Sequence, residues 1–122
     1  MTTVATYHQL LDTEIDLRIG ADTDRTFTQS VAEAPVSGEG VVVTWVVRRK
    51  AAGSVTYTVV LNGTLLNTYT VTSADKVTVT ETTSTSNANA GDNEIVFTVT
   101  GGTGILGLGD ILLWTRVEVR EP

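Results

Sequence analysis

The hairpin that decides the fold lies in residues 55–72, VTYTVVLNGTLLNTYTVT. Two runs rich in Val, Thr and Tyr flank the pair Asn62-Gly63. Asn and Gly both tolerate the positive φ angles of a two-residue type I′ turn, whose twist matches that of antiparallel strands. The sequence therefore predicts two paired strands, residues 55–61 and 64–72.

The register of this hairpin predicts which side chains share a face. If Leu61 pairs with Thr64 and the pairing continues regularly, one side of the hairpin is apolar and the other is polar. The second side carries Thr56, Thr58, Asn67 and Tyr69. A ring among hydroxyl and amide groups can stack on a sugar or on a partner chain. These four residues are therefore candidates for binding a ligand or partner.

Strand-like segments continue on both sides of the hairpin. Thr and Val make up about a third of the 122 residues, and both favour strands. Residues 11–19 alternate apolar and polar side chains, whereas residues 41–49 are apolar on both parities and indicate a central strand. The other predicted strands are residues 26–31, 76–82, 93–100 and 105–120, with a bulge or bend at Gly107 and Gly109.

This pattern predicts an all-β protein without helices. Seven to eight short strands, with turn signals about every ten residues, are typical of an antiparallel β-sandwich or of a small barrel. No composition shift divides the chain, so residues 1–122 are expected to form one domain. Residues 1–10 precede the first predicted strand and are expected to form an N-terminal arm.

Composition excludes several classes of function. The chain has no Cys and one His, which excludes a thiol nucleophile and a thiolate zinc site. Its net charge of -6 argues against nucleic-acid binding, which depends on Lys and Arg. The apolar runs are far shorter than the roughly 20 residues of a membrane-spanning helix. No catalytic constellation is visible, so no enzyme activity is expected.

The N-terminus and the missing cysteines bear on the expected location. The first residues, MTTVATYH, lack the basic start and long apolar run of a secretory signal peptide. The absence of Cys suits a reducing compartment. We therefore expect the protein in the cytoplasm or in a particle assembled there.

One turn offers a weak metal site. Asp22 and Asp24 are two residues apart in the polar segment 20–25. Ca²⁺ takes six to eight oxygen ligands from carboxylates, carbonyls and water. No further calcium-loop pattern surrounds the two carboxylates, so a plain polar turn is the alternative. Apart from this structural calcium, no cofactor is expected.

The last predicted strand carries a second candidate surface. Trp114 has the parity of Arg116 and Leu112, opposite to the apolar positions Leu113 and Val117. The Trp114 ring is therefore either covered by a loop or placed at an interface. Trp114 and Arg116 are candidates for partner or ligand binding.

Three segments of the C-terminal half resemble a known fold family. They are residues 55–63 (VTYTVVLNG), 91–102 (GDNEIVFTVTGG) and 109–119 (GDILLWTRVEV). A strand ending in Asn-Gly, a G-x-N-x-I strand and a closing strand that opens with Asp are similar to the late strands of galactose-binding-domain-like jelly rolls, including many carbohydrate-binding modules. The resemblance covers roughly the last 65 residues. It implies a jelly-roll sandwich.

Two functional hypotheses follow. The first is a non-catalytic recognition module that binds a carbohydrate or a partner protein through the Thr- and Tyr-rich sheet face or through loops 22–25 and 83–92, within a symmetric oligomer. The second is a structural component of a phage virion or similar particle, in which the surplus apolar surface is buried against neighbouring subunits. Both hypotheses predict self-association, and neither involves nucleic acid or a membrane.

Overall fold

The protein forms nine antiparallel strands in a computed structural model, which describes residues 2–20 and 22–119. The strands are β1 (Thr2–Leu11), β2 (Ile15–Leu17), β3 (Asp24–Val31), β4 (Val41–Arg49), β5 (Val55–Leu61), β6 (Thr64–Val71), β7 (Val77–Thr83), β8 (Gly91–Gly102) and β9 (Leu106–Val119). The described helical structure is one short 3₁₀ turn, Thr85–Asn87. Within the described residues no helix has the length and apolarity to span a membrane.

The strands form two sheets packed face to face. The first sheet has the order β1-β9-β4-β7, with the short β2 also pairing with β9. The second has the order β3-β8-β5-β6. Every pairing is antiparallel. The all-β sandwich predicted from strand patterning is therefore confirmed.

The core lies between the two sheets and is built from alternate residues of the central strands. Every second side chain is buried from Val41 to Val47 in β4 and from Val55 to Leu61 in β5. Trp45 lies at the centre, fully buried, with its ring edge-on to Tyr57, Tyr69 and Phe97 at centroid distances of 6.5, 5.7 and 5.4 Å. Trp45 Nε1 donates a 2.8 Å hydrogen bond to the Tyr57 hydroxyl, so the buried indole N–H has a partner.

The N-terminal segment differs from its prediction. Residues 2–11 are β1, which pairs with β9 from Thr2↔Val119 to Leu11↔Ile111 rather than forming an arm. The alternating segment 11–19 is not one strand but the end of β1 and the three-residue β2. The strand is interrupted at residues 12–14 because β9 bulges opposite them. At this bulge Asp110 has a φ angle of 49°, and the register between β9 and β4 shifts.

The hairpin has the predicted turn but a different register. Asn62 and Gly63 have φ angles of 48° and 82°, as a type I′ turn requires, and the pairs Leu61↔Thr64 and Val60↔Leu65 are as predicted. Beyond Val60 the register prediction is wrong. A bulge at Leu66 makes Val59 pair with Asn67, and every later residue of β6 changes face. The bulge lets Tyr69 and Val71, rather than Thr68 and Thr70, pack against the core.

The glycines predicted as a bend allow another strand to approach. A Cβ on Gly109 would lie 3.0 Å from the Thr13 carbonyl oxygen, and one on Gly107 would lie 3.0 Å from Lys50 Cδ. Above Gly107, Glu14 accepts two hydrogen bonds from Arg48, at 2.9 and 2.8 Å, and Lys50 reaches Asp16 at 2.8 Å. These glycines leave room for β2 and its ion pairs.

Candidate functional site

The outer face of the first sheet carries a groove of about 350 Å³. Outward side chains of all four main strands contribute, because alternate residues of each strand point away from the core. Ala5 comes from β1, Trp114 and Arg116 from β9, Thr44 from β4 and Thr78 from β7. The loop before β4 adds Glu39 and Gly40 at one side, and Val42 and Thr115 complete the lining.

An aromatic pair stands beside this groove. Tyr7 of β1 and Trp114 of β9 are direct cross-strand partners, and their ring centroids are 5.0 Å apart with planes inclined at 41°. Tyr7 is 61% exposed and Trp114 is half-buried. Trp114 Nε1 points across the sheet to Thr44 Oγ1 at 3.4 Å. The Trp114 ring is thus held by neighbours on β1 and β4.

The charged groups of the groove are paired with each other. Arg116 Nη1 donates a 2.7 Å hydrogen bond to Glu39 Oε2, which joins β9 to the loop before β4. Both side chains are well exposed, so the pair contributes little to folding stability. Its consequence is local, since the guanidinium charge beside Trp114 is balanced.

The structure separates Tyr69 and Asn67 from the other hairpin candidates. The Tyr69 ring stacks on Tyr57 with centroids 5.5 Å apart, and its hydroxyl donates a short hydrogen bond to Glu81 Oε1. Asn67 Nδ2 donates to the same carboxylate oxygen at 3.0 Å. Partial burial and the bond to Glu81 raise the pKa of Tyr69 to about 12. Contrary to the prediction, Tyr69 and Asn67 therefore do not share the outer hairpin face with Thr56 and Thr58. Glu81 of β7 instead links the edge strand of the first sheet to β6, the edge strand of the second.

Thr56 and Thr58 lie on the outer face of the second sheet. Thr56 pairs with Thr70, with 2.9 Å between the two hydroxyl oxygens, and Thr58 pairs with Thr68. This face is opposite to the one that carries Trp114. The six candidate residues therefore fall in three places, and only Trp114 and Arg116 share a groove.

Asp22 and Asp24 are both exposed, in and beside the turn that leads into β3. The Asp22 carbonyl accepts the Arg18 N–H at 3.0 Å, and the Thr23 carbonyl accepts the Val99 N–H at 2.8 Å. Within the described residues no group of three or more His, Cys, Asp or Glu is placed to hold a metal ion. The calcium site stays a prediction that rests on the two carboxylates.

Sequence reasoning did not find Tyr7, Glu39 or Thr44. Tyr7 lies within residues 1–10, for which the sequence predicts an arm rather than a strand. Its signal was present, since the odd positions 3 to 9 of β1 share one face and Tyr7 is its aromatic member. Glu39 and Thr44 depend on strand order, which a single sequence does not give.

Comparison with solved structures places the chain in a known fold. The similar structures include the CBM36-1 domain of a multidomain xylanase from the hindgut metagenome of Trinervitermes trinervoides, at TM-score 0.59 and 14% identity, covering 95% of this chain and 100% of that one. A carbohydrate-binding module CBM36 solved in complex with calcium and xylotriose matches at TM-score 0.56 and 17% identity, covering 90% and 99%. The chain has a galactose-binding-domain-like β-sandwich fold. The fold that the C-terminal resemblance implied is confirmed.

One similar structure belongs to a much longer protein. Dimeric latent PorU from Porphyromonas gingivalis aligns at TM-score 0.67 and 11% identity over 98% of this chain, which spans 13% of the PorU chain. No protein-family model and no curated protein matches the sequence. At these identities the similarities describe the fold alone.

Proposed function

We propose that this protein is a non-catalytic module that binds carbohydrate in the groove on the outer face of the first sheet. The observation that carries the proposal is the Tyr7–Trp114 pair beside a groove whose lining includes the hydroxyls of Thr44 and Thr78. Sugars present apolar C–H faces that pack on aromatic rings and hydroxyls that exchange hydrogen bonds with polar side chains. The groove offers both kinds of contact.

Three further observations support this proposal. The groove volume, about 350 Å³, is in the range of small-molecule sites. Its lining residues come mainly from paired strands, so the site exists before a ligand arrives and little ordering cost opposes binding. The same fold occurs in proteins described as carbohydrate-binding modules.

Native gels containing a panel of soluble polysaccharides test the proposal. Retardation by at least one of them is expected, and Trp114→Ala and Tyr7→Ala should each weaken it at least about tenfold, equivalent to about 1.4 kcal/mol. Leu65→Ala is the matched control, because Leu65 is 56% exposed on the outer face of the other sheet. Equal retardation of all four proteins would place binding elsewhere, and no retardation of any would reject carbohydrate binding.

A second candidate function is self-assembly. Strands β6 and β7 are sheet edges on the same side of the sandwich, and a crevice of about 310 Å³ between them is lined by Tyr69, Val71, Val77 and Val79 among others. Val77 is 46% exposed there. Open edge strands pair readily with another chain. Light scattering should then show a mass above 13.0 kDa, and Val77→Asp should lower it. A monomer at every concentration would reject this candidate and with it the predicted place in a phage particle.

A further inference from the structure

We propose that the groove takes a single, neutral glycan chain about three sugars long, and that the Glu39–Arg116 ion pair excludes acidic sugars. This inference rests on the proposed carbohydrate-binding function and specifies its ligand. Three features of the groove carry it: the inclination of the two rings, the direction of the groove across the strands, and the charge balance of its lining.

The two rings do not form a flat platform. A crystalline polysaccharide presents a planar surface, and aromatic side chains that bind such a surface have to be coplanar. The planes of Tyr7 and Trp114 are inclined at 41°, and their partnership across β1 and β9 fixes their relative position. One flat surface therefore contacts only one of the rings. A separate chain that follows both ring faces fits this arrangement.

The groove crosses the sheet from Ala5 on β1 to Thr78 on β7. Those strands are separated by three inter-strand spacings, which at about 4.8 Å each amounts to about 14 Å. That distance is close to the length of three linked pyranose rings. The groove thus accommodates an internal stretch of chain rather than a single sugar.

The charge of the groove favours neutral sugars. Among the lining residues that the structure describes, the charged ones are Glu39 and Arg116, which neutralise each other at 2.7 Å. A uronate carboxylate that approached Arg116 would also meet the Glu39 carboxylate. The net charge of -6 repels a polyanionic chain at longer range. Glu39 is therefore a specificity-determining residue.

The test compares three classes of probe. The neutral soluble chains are arabinoxylan, glucomannan and mixed-linkage β-glucan. The acidic soluble chain is polygalacturonate, and the crystalline surface is microcrystalline cellulose. The native protein should bind at least one neutral soluble chain and neither of the other classes. Affinity for the matching oligosaccharides should rise to about the trisaccharide and then level off. Glu39→Gln should raise the ratio of polygalacturonate affinity to neutral-chain affinity at least about tenfold. Asp75→Asn, which removes one negative charge from an exposed loop, is the control and should leave that ratio unchanged.

The outcomes distinguish this inference from the proposed function. Binding that Trp114→Ala weakens, but that occurs on cellulose or polygalacturonate, supports the groove as a glycan site and overturns the inference about its ligand. An unchanged affinity ratio in Glu39→Gln overturns the role of the ion pair. Absence of binding to every probe overturns the proposed function itself.

Discussion

At the scale of the residue, the Trp45–Tyr57 hydrogen bond is a buried polar link inside an apolar core. Trp45→Phe should lower the free energy of unfolding by about 1–3 kcal/mol from the stranded Tyr57 hydroxyl alone, in addition to lost packing. The double variant Trp45→Phe/Tyr57→Phe should lose less than the sum of the single variants, because it leaves neither polar group unpaired. Urea unfolding followed by circular dichroism measures all three variants. Additive losses would contradict a coupled pair.

The hydroxyl of Tyr69 gives a pH-dependent contribution to stability. Its pKa is about 12 in the folded protein against 10.0 ordinarily, so the folded state holds the proton more tightly than the unfolded state. The resulting stabilisation is complete below pH 10 and is lost as the pH rises from 10 towards 12. The difference in urea midpoint between the native protein and Tyr69→Phe should therefore be smaller at about pH 11 than at about pH 8. An equal difference at both pH values would rule out this contribution.

At the scale of the element, the hairpin shows where sequence reasoning succeeds and where it stops. The turn was predictable because Asn62-Gly63 has one strongly preferred geometry. The bulge was not predictable, because Leu66 packs against the core and Leu65 lies outside it in the regular register and in the bulged one alike. The choice between the two registers depends on whether the core has space for Tyr69 beside Tyr57 and Trp45. That space is set by the opposite sheet, which is distant in sequence.

The same limit applied to the candidate site. Strands β4 and β9 were recognisable from their apolar patterns. Trp114 and Arg116 were identified because they alternate with the apolar residues of β9. The neighbours that make them a groove come from β1, from the loop before β4 and from β7. Their positions follow from sheet order, which depends on tertiary packing rather than on local pattern.

The start of β5 depends on a close approach that one glycine permits. Gly102 pairs with Val55, and a Cβ at Gly102 would lie 2.0 Å from the Ser54 carbonyl oxygen. Gly20 has the same φ of +89° but open space around it, so Gly20→Ala incurs only the left-handed backbone cost of roughly 1–2 kcal/mol. Gly102→Ala should be less stable than Gly20→Ala by at least about 2 kcal/mol in urea unfolding, because β5 and β8 must separate. Equal losses of unfolding free energy in the two variants would show that the structure relieves the contact between the added methyl group and the Ser54 carbonyl at no cost.

At the scale of the whole molecule, carbohydrate binding and assembly predict different effects on thermal unfolding. A ligand that binds only the folded state stabilises it by about 2.7 kcal/mol at a hundred times its Kd, which for a domain of this size raises the Tm by roughly 10 °C. A neutral soluble glycan should therefore raise the Tm of the native protein but not that of Trp114→Ala. Assembly instead makes the Tm rise with protein concentration in the absence of glycan. A Tm that responds to neither glycan nor protein concentration would contradict both functions, since each requires that the folded sandwich gain a partner which the unfolded chain lacks.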